Sequence, residues 1–244
     1  MTFESLGLRP ELARALEDSL GVFAPHALQS KALPLALGGE DLIVCAQTGA
    51  GKTLMFLLPL LELLSGSPAP QRALVAVPTP ELASQIARVA TVLAASLPAP
   101  LSVSLVLGPE GEEGEEGAAA ADAVAASAPG SSIEVGTVEE LCRRCAEGSL
   151  RLEGLSHVVF DEADALLCER EGRWAAPARP LLAALREAVA SGALAPPPQF
   201  LLTTATLSRE DEAELESLFP AAKRVSHTGV LVPTLRQRFE YYRG

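Results

Sequence analysis

The chain has 244 residues, 48% of them hydrophobic, with four cysteines and a formal net charge of −12. That length and apolar content fit one large domain with a sizeable core, and the low cysteine content argues against a disulfide-stabilised secreted fold. No apolar run is long enough to span a bilayer, and no basic segment leads into a signal-peptide core, so we expect an intracellular, soluble protein.

Strand-like apolar runs alternate along the chain with segments that are typical of helices. Strands are predicted at 42–45, 73–77, 101–107, 133–136, 157–160 and 200–203. Helices are predicted at 10–20, 26–37, 53–64, 79–95, 138–147, 178–190 and 208–218. Because the strands are continuously apolar and separated by helices, they predict an α/β fold with a mostly parallel sheet and helices on both faces. Ligands bind such sheets beyond the carboxyl ends of the strands.

The first strand is joined to a leucine-rich helix by Ala46-Gln47-Thr48-Gly49-Ala50-Gly51-Lys52-Thr53. Its glycines let successive backbone N–H groups point at a phosphate, and the helix N-terminus adds the positive end of its dipole. Lys52 can then reach the outer phosphates, and the Thr53 hydroxyl can ligate Mg²⁺. Ala46 stands where the general P-loop pattern has glycine, and the alternative is an ordinary strand–helix turn with a solvated lysine. The strand–turn–helix setting favours a nucleotide-phosphate site.

A run of acids, Asp161-Glu162-Ala163-Asp164, directly follows the predicted strand 157–160. A carboxylate at the carboxyl end of a strand beside the P-loop strand can hold the Mg²⁺ that Thr53 also holds. The adjacent carboxylate can orient or deprotonate an attacking water. The alternative is an acidic first turn of a helix, which the helix dipole favours by itself.

These two motifs resemble those of the DEAD-box RNA helicases, specifically the first of their RecA-like domains. Phe23-Ala24-Pro25-His26-Ala27-Leu28-Gln29 resembles the Q motif, with Phe3 at the position of the isolated upstream aromatic. Pro78-Thr79-Pro80-Glu81-Leu82-Ala83 resembles motif Ia, and Thr204-Ala205-Thr206-Leu207 resembles motif III. The resemblance implies a RecA-like P-loop domain in which residues 1–38 form the Q-motif region.

The resemblance also implies that the chain binds ATP with Mg²⁺. Gln29 would read the adenine edge, and Phe3 would pack near it. Read alone, Gln29 is an ordinary polar helix residue and Phe3 is a core or surface aromatic. The residues that would cradle the phosphates are Ala46, Gln47, Thr48, Gly49, Ala50, Gly51, Lys52 and Thr53.

The catalytic residues implied by the resemblance are Glu162, Lys52 and Asp161. Glu162 would be the general base, Lys52 would bind phosphate, and Asp161 would hold Mg²⁺ through water. The metal would be shared with the Thr53 hydroxyl. The residues that would couple the ATP site to RNA and to a partner domain are Asp164, Thr204 and Thr206. Read alone, the two threonines are plain strand composition.

The RNA-side motifs depart from the family pattern. Pro80 stands where the family usually has arginine, Gly108-Pro109 replaces Gly-Gly, and Thr137-Val138-Glu139-Glu140 replaces Thr-Pro-Gly-Arg. An acidic and alanine-rich insertion is predicted at 108–130, and its glutamates either repel RNA phosphates or lie on a solvated flap. A net charge of −12 also suits a nucleic-acid binder poorly. We therefore expect RNA as a partner that this chain alone binds weakly.

The whole chain, 1–244, is predicted to be a single RecA-like domain and a monomer. The family's second RecA-like domain, which supplies arginines to the γ-phosphate, has no counterpart in this sequence; it, or a protein partner, is expected to complete the enzyme. The predicted function is the ATP-binding half of an ATP-dependent RNA helicase. Two alternatives are a non-enzymatic ATP- or RNA-binding module that docks on a protein partner, and a P-loop ATPase that acts on something other than RNA.

Overall fold

A seven-stranded sheet forms the centre of the fold. The computed structural model describes residues 1–47, 49–98, 101–108, 131–169, 176–205 and 208–226. The strands are β1 (Leu42–Cys45), β2 (Arg72–Val77), β3 (Leu101–Val106), β4 (Ser131–Thr137), β5 (Leu155–Asp161), β6 (Gln199–Thr204) and β7 (Lys223–Ser226). Their spatial order is β3-β4-β2-β5-β6-β1-β7, and every neighbouring pair is parallel.

Helices cover both faces of the sheet. They are α1 (Pro10–Leu20), α2 (Ala27–Leu37), α3 (Lys52–Gly66), α4 (Pro80–Ala94), α5 (Val138–Ala146), α6 (Ala163–Leu167), α7 (Arg179–Ala190) and α8 (Arg209–Leu218), preceded by a 3-10 turn at Glu4–Leu6. Because successive strand residues point to opposite faces, the strands feed two cores. Leu42 and Val44 pack into the core under α1–α4, while Ile43 packs into the core under α5–α8.

The predicted fold class is confirmed, and all six predicted strands and seven predicted helices are present with shifts of a few residues at their ends. The prediction missed β7 and the short helix α6. β7 is an edge strand in which only Val225 is buried, so it has no apolar run to reveal it. α6 has five residues, too few to show a helical repeat.

The order of the strands corrects one expectation about the site. The acidic run was expected on a strand beside the P-loop strand, but β6 lies between β5 and β1. Thr203 pairs in register with Asp161 on one side and with Val44 on the other. Adjacency is decided by long-range pairing of strands, which the local sequence does not encode. Residues at the end of β6 therefore separate the two motifs and contact both.

Candidate functional site

The P-loop turns sharply between β1 and α3. Gly49 and Gly51 have φ angles of 83° and 74°, in the left-handed region where a side chain is strained. Lys52 is the first residue of α3, and both Lys52 and Thr53 are half-buried. The turn thus places a lysine and a hydroxyl at a helix N-terminus, as the sequence predicted. Thr48 lies outside the described residues.

The Q-motif glutamine lies directly against this turn. Gln29 is fully buried; its Nε2 donates to the Gly51 carbonyl at 3.3 Å, and its Oε1 accepts from the His26 N–H at 2.8 Å. A Cβ added to Gly51 would lie 2.4 Å from that Nε2. Gln29 therefore ties the start of α2 to the P-loop backbone, a contact that motif matching did not reveal.

The upstream aromatic lies elsewhere. Phe3 is 3% exposed and belongs to the core that includes α1–α4, so its ring offers almost no surface to a base. Phe23, within the Q motif, is 73% exposed. The structure brings Gln29 to the P-loop but keeps Phe3 inside the core, and an adenine contact by Phe3 stays a prediction.

The acidic run lies where β5 ends, close to the P-loop lysine. Asp161 is 7% exposed, and burial raises its pKa. Three contacts oppose that rise in pKa: a hydrogen bond from Thr203, the positive charge of Lys52 and a hydrogen bond from the Glu162 N–H. Burial also raises the pKa of Glu162, reinforced by Asp161 and Asp164 and opposed by Lys52. Lys52 is thus near enough to both carboxylates to stabilise their charged forms.

Glu162 has an unusual backbone. Its φ of 58° and ψ of 49° make it the one non-glycine residue with positive φ in the described ranges. A left-handed conformation costs a residue with a Cβ about 1–2 kcal/mol. Strain of this kind concentrates at functional positions. Here the left-handed residue lets the chain leave β5 at Asp161 and begin α6 at Ala163.

Two consecutive threonines at the end of β6 hold two of these carboxylates. The Thr203 hydroxyl donates to Asp161 Oδ1, and the Thr204 hydroxyl donates to Asp164 Oδ1 at 2.8 Å. The Thr204 carbonyl also accepts from the Ala46 N–H at 3.0 Å, which joins this strand to the P-loop. Thr203 was missed by the sequence reasoning, because its role depends on strand register. Thr206 falls outside the described part of the chain.

The oxygen ligands at this site suit magnesium. Across the described ranges, no three His, Cys, Asp or Glu side chains are grouped to enclose a metal. Mg²⁺ does not need such a cage, because it usually keeps several waters and takes one or two carboxylates plus substrate phosphates. The Asp161 carboxylate and the Thr53 hydroxyl, on the two sides of β6, offer that chemistry.

The residues at the expected RNA-side positions lie along the same edge of the sheet, after β2, β3 and β4. Glu140 is 4% exposed, and its carboxylate accepts from Arg143 at 2.6 Å and from Arg144 at 2.7 Å. These hydrogen bonds lower the pKa of Glu140 to about 2. A Cβ on Gly108 would lie 3.7 Å from Glu140 Oε2. Glu140 stands where the family has a basic residue, and in the structure these two arginines offset its charge. Glu139 is exposed.

The insertion glutamates and the C-terminal segment lie outside the described residues, which end at 226. Among the helices that are described, none is long and apolar enough to cross a membrane.

Comparison with known proteins identifies relatives of the chain. A family model described as DEAD/DEAH box helicase matches residues 26–215. The chain is 36% identical over 176 residues to the human "Probable ATP-dependent RNA helicase DDX28", covering 69% of this chain and 31% of that protein. It is also 36% identical over 166 residues to the Escherichia coli "ATP-dependent RNA helicase DeaD", covering 68% of this chain and 25% of that protein.

Solved structures share the fold. A DEAD box protein from Methanococcus jannaschii superimposes with a TM-score of 0.70 at 25% identity, covering 93% of this chain and 56% of that one. Saccharomyces cerevisiae Dbp5 bound to RNA and ADP BeF3 superimposes with a TM-score of 0.71 at 23% identity, covering 92% of this chain and 51% of that one. The chain therefore spans about half of these structures and a third or less of the two curated relatives. The family match covers most of its length, and the chain belongs to the DEAD/DEAH box helicase family.

Proposed function

We propose that the chain is the ATP-binding half of an ATP-dependent RNA helicase and that it binds ATP with Mg²⁺. The observation that carries the proposal is the convergence of Lys52 with Asp161 and Glu162 at the carboxyl edge of a parallel sheet. Ligands bind open α/β sheets at this edge. The names of the relatives support the same activity, since the Escherichia coli protein is named an ATP-dependent RNA helicase and the human protein a probable one.

Each residue at this edge has a role in the proposal. Backbone N–H groups of 46–53 and the α3 N-terminus bind phosphate oxygens, and Lys52 neutralises the outer phosphates. Thr53 and Asp161 would hold Mg²⁺, which when bound would supply positive charge beside the phosphates. Glu162 accepts a proton from the attacking water, and burial raises its pKa in the direction that suits a general base.

The adenine preference is assigned to Gln29. Its amide makes two hydrogen bonds within the protein, to Gly51 and His26, and an amide can make up to four. Two hydrogen-bonding positions of the amide therefore remain for the base edge, and because Gln29 is fully buried, the proposal requires its side chain to become exposed on nucleotide binding.

Isothermal titration with ATP and GTP in Mg²⁺ tests both assignments. Lys52→Ala should abolish binding, while Lys31→Ala, an exposed lysine of α2, serves as the charge-matched control and should bind like the parent. Gln29→Ala should weaken ATP much more than GTP, with a smaller loss common to both because Gly51 loses its contact. Equal affinity of the parent for ATP and GTP would contradict the adenine assignment.

Hydrolysis by the chain alone should be very slow. Charge on the γ-phosphate in the transition state needs an arginine, which is worth ~10³–10⁵ in rate in GTPase-type P-loop enzymes. We propose that this arginine comes from a second RecA-like domain or a partner. Multiple-turnover hydrolysis by the chain alone at about 1 s⁻¹ or faster, within the usual range for enzymes, would contradict this.

RNA is the proposed second ligand, bound weakly by this half. RNA is proposed to lie against Gly108, and five glutamates follow that residue in the sequence: Glu110, Glu112, Glu113, Glu115 and Glu116. If they repel phosphates, deletion of 110–116 should tighten single-stranded RNA binding at low salt, and the gain should shrink as salt rises. Unchanged affinity would show that these glutamates have no bearing on RNA.

An alternative is a non-enzymatic module that docks on a protein partner. It is favoured by one observation: two arginines of the helix that follows the altered RNA-side motif, Arg143 and Arg144, are already paired with Glu140. RNA-stimulated ATP turnover, measured with a second RecA-like domain present, separates the two. Stimulation supports the helicase, and turnover that RNA leaves unchanged supports the module.

A further inference from the structure

The Asp161 carboxylate is held from one side only. Both hydrogen bonds that it accepts within the described residues go to Oδ1, one from the Thr203 hydroxyl and one from the Glu162 N–H at 3.2 Å. The second oxygen, Oδ2, is not among the atoms that are buried without a partner. One oxygen is thus engaged by the protein, and the other is left for a ligand.

Thr203 is well placed to fix this arrangement. It is 1% exposed and sits opposite Asp161 in the β5–β6 register, so neither backbone can shift without moving the other. The χ2 torsion of an aspartate is broad and roughly two-fold. Without the Thr203 hydroxyl, only the Glu162 N–H at 3.2 Å would hold Oδ1, and the carboxylate plane could rotate. The hydroxyl fixes the plane in which the second oxygen faces outward.

We propose that Thr203 is a positioning residue for magnesium: its hydroxyl holds Asp161 Oδ1 so that Oδ2 faces the metal and its waters. The inference rests on the proposed nucleotide site and adds to it a residue that the motifs do not include. Its neighbour Thr204 binds a different carboxylate, Asp164, from the other face of β6. The two hydroxyls therefore have separate tasks, and each can be removed independently.

A structural role for Thr203 makes a different prediction. If its hydroxyl only offsets the burial of Asp161, its loss should lower stability and weaken nucleotide binding whether or not Mg²⁺ is present. If it orients the carboxylate for the metal, only the magnesium-dependent part of nucleotide affinity should fall. Substitution of groups that orient metal ligands typically costs 10–100-fold in metal affinity.

The test is calorimetric titration of ADP into the parent and variants, once with excess Mg²⁺ and once with EDTA. Thr203→Val removes the hydroxyl at nearly constant volume, and Thr203→Ser restores it. Ser156→Ala is the control, since its hydroxyl lies near the opposite end of β5. Thr203→Cys, whose thiol is a weaker donor, replaces the valine variant if that variant fails to fold.

We expect the ratio of the ADP affinity in Mg²⁺ to the ADP affinity in EDTA to fall about tenfold in Thr203→Val. This is the low end of that range, since Asp161 would hold the metal through water. Affinity in EDTA should stay within about twofold of the parent, and Thr203→Ser and Ser156→Ala should keep the parental ratio. An unchanged ratio in Thr203→Val, or an equal loss in both conditions, overturns the inference while the nucleotide site stands. Failure of the parent to bind ADP in either condition overturns both.

Discussion

Adding one methyl group to Gly51 should damage the P-loop in two separable ways. Gly51 has a φ of 74°, so any residue with a Cβ is strained there by about 1–2 kcal/mol. In addition, the new Cβ would lie 2.4 Å from Gln29 Nε2 and 3.3 Å from Gln29 Cδ. Gln29 is fully buried, so it has little room to move aside.

Gly49 provides a matched control for the strain alone. Its φ is 83°, but a Cβ there would meet nothing within 4 Å. Both substitutions replace glycine by alanine in the unfolded chain, so the entropic effect of that change cancels in their difference. What remains is the displacement of Gln29, whose amide bonds Gly51 and His26. Loss of these two hydrogen bonds, at about 0.5–1.5 kcal/mol each, should make Gly51→Ala about 1–3 kcal/mol more destabilising than Gly49→Ala.

Urea denaturation followed by circular dichroism measures this difference through the free energy of unfolding. A double-mutant cycle then assigns it: in a Gln29→Ala background, Gly51→Ala should cost no more than Gly49→Ala. Equal destabilisation by Gly49→Ala and Gly51→Ala in the parent would refute the reasoning. So would an undiminished extra cost in the absence of the Gln29 side chain.

Three further predictions concern charged and strained positions. Glu162→Gly should raise the free energy of unfolding by about 0.5–1 kcal/mol, since relief of left-handed strain exceeds the entropic cost of glycine. Glu162→Gln keeps the Cβ and should give no such increase in the same urea denaturation. Glu140→Gln should lower the free energy of unfolding by about 1–3 kcal/mol at neutral pH, because the charged hydrogen bonds to Arg143 and Arg144 are lost. Because the folded-state pKa of Glu140 is lowered from 4.5 to about 2, this difference should hold above pH 4.5 and shrink as acid approaches pH 2; a difference independent of pH would contradict the ion pairing. Burial lowers the pKa of His157 from 6.5 to about 4. The unfolded chain therefore binds a proton more readily, and the free energy of unfolding should fall as the pH is lowered from 6.5 to about 4. His157→Gln should remove this part of the acid sensitivity, and an identical pH profile for the variant would contradict it.

Local patterns were enough to predict the motifs of this protein and all of its described helices and strands except β7 and α6. Continuous apolar runs predict buried parallel strands because both faces of such strands are covered, and β1, β2, β5 and β6 were found on this basis. The P-loop was recognised because its chemistry lies within eight consecutive residues, where glycine spacing and a following helix decide the backbone. The same holds for the acidic run, because its placement at a strand end is a local property.

The tertiary structure decided how these pieces meet. That β6 separates the two motifs, and that Thr203 faces Asp161, follows from strand pairing between residues 42 positions apart. The burial of Phe3 likewise depends on packing under α1–α4, whereas the pairing of Glu140 with Arg143 and Arg144 is local, at helical spacings of three and four residues on α5. Chain-distant contacts of this kind carry no local periodicity, because any residue with suitable polarity satisfies the sequence pattern. Register and packing alone select the partner.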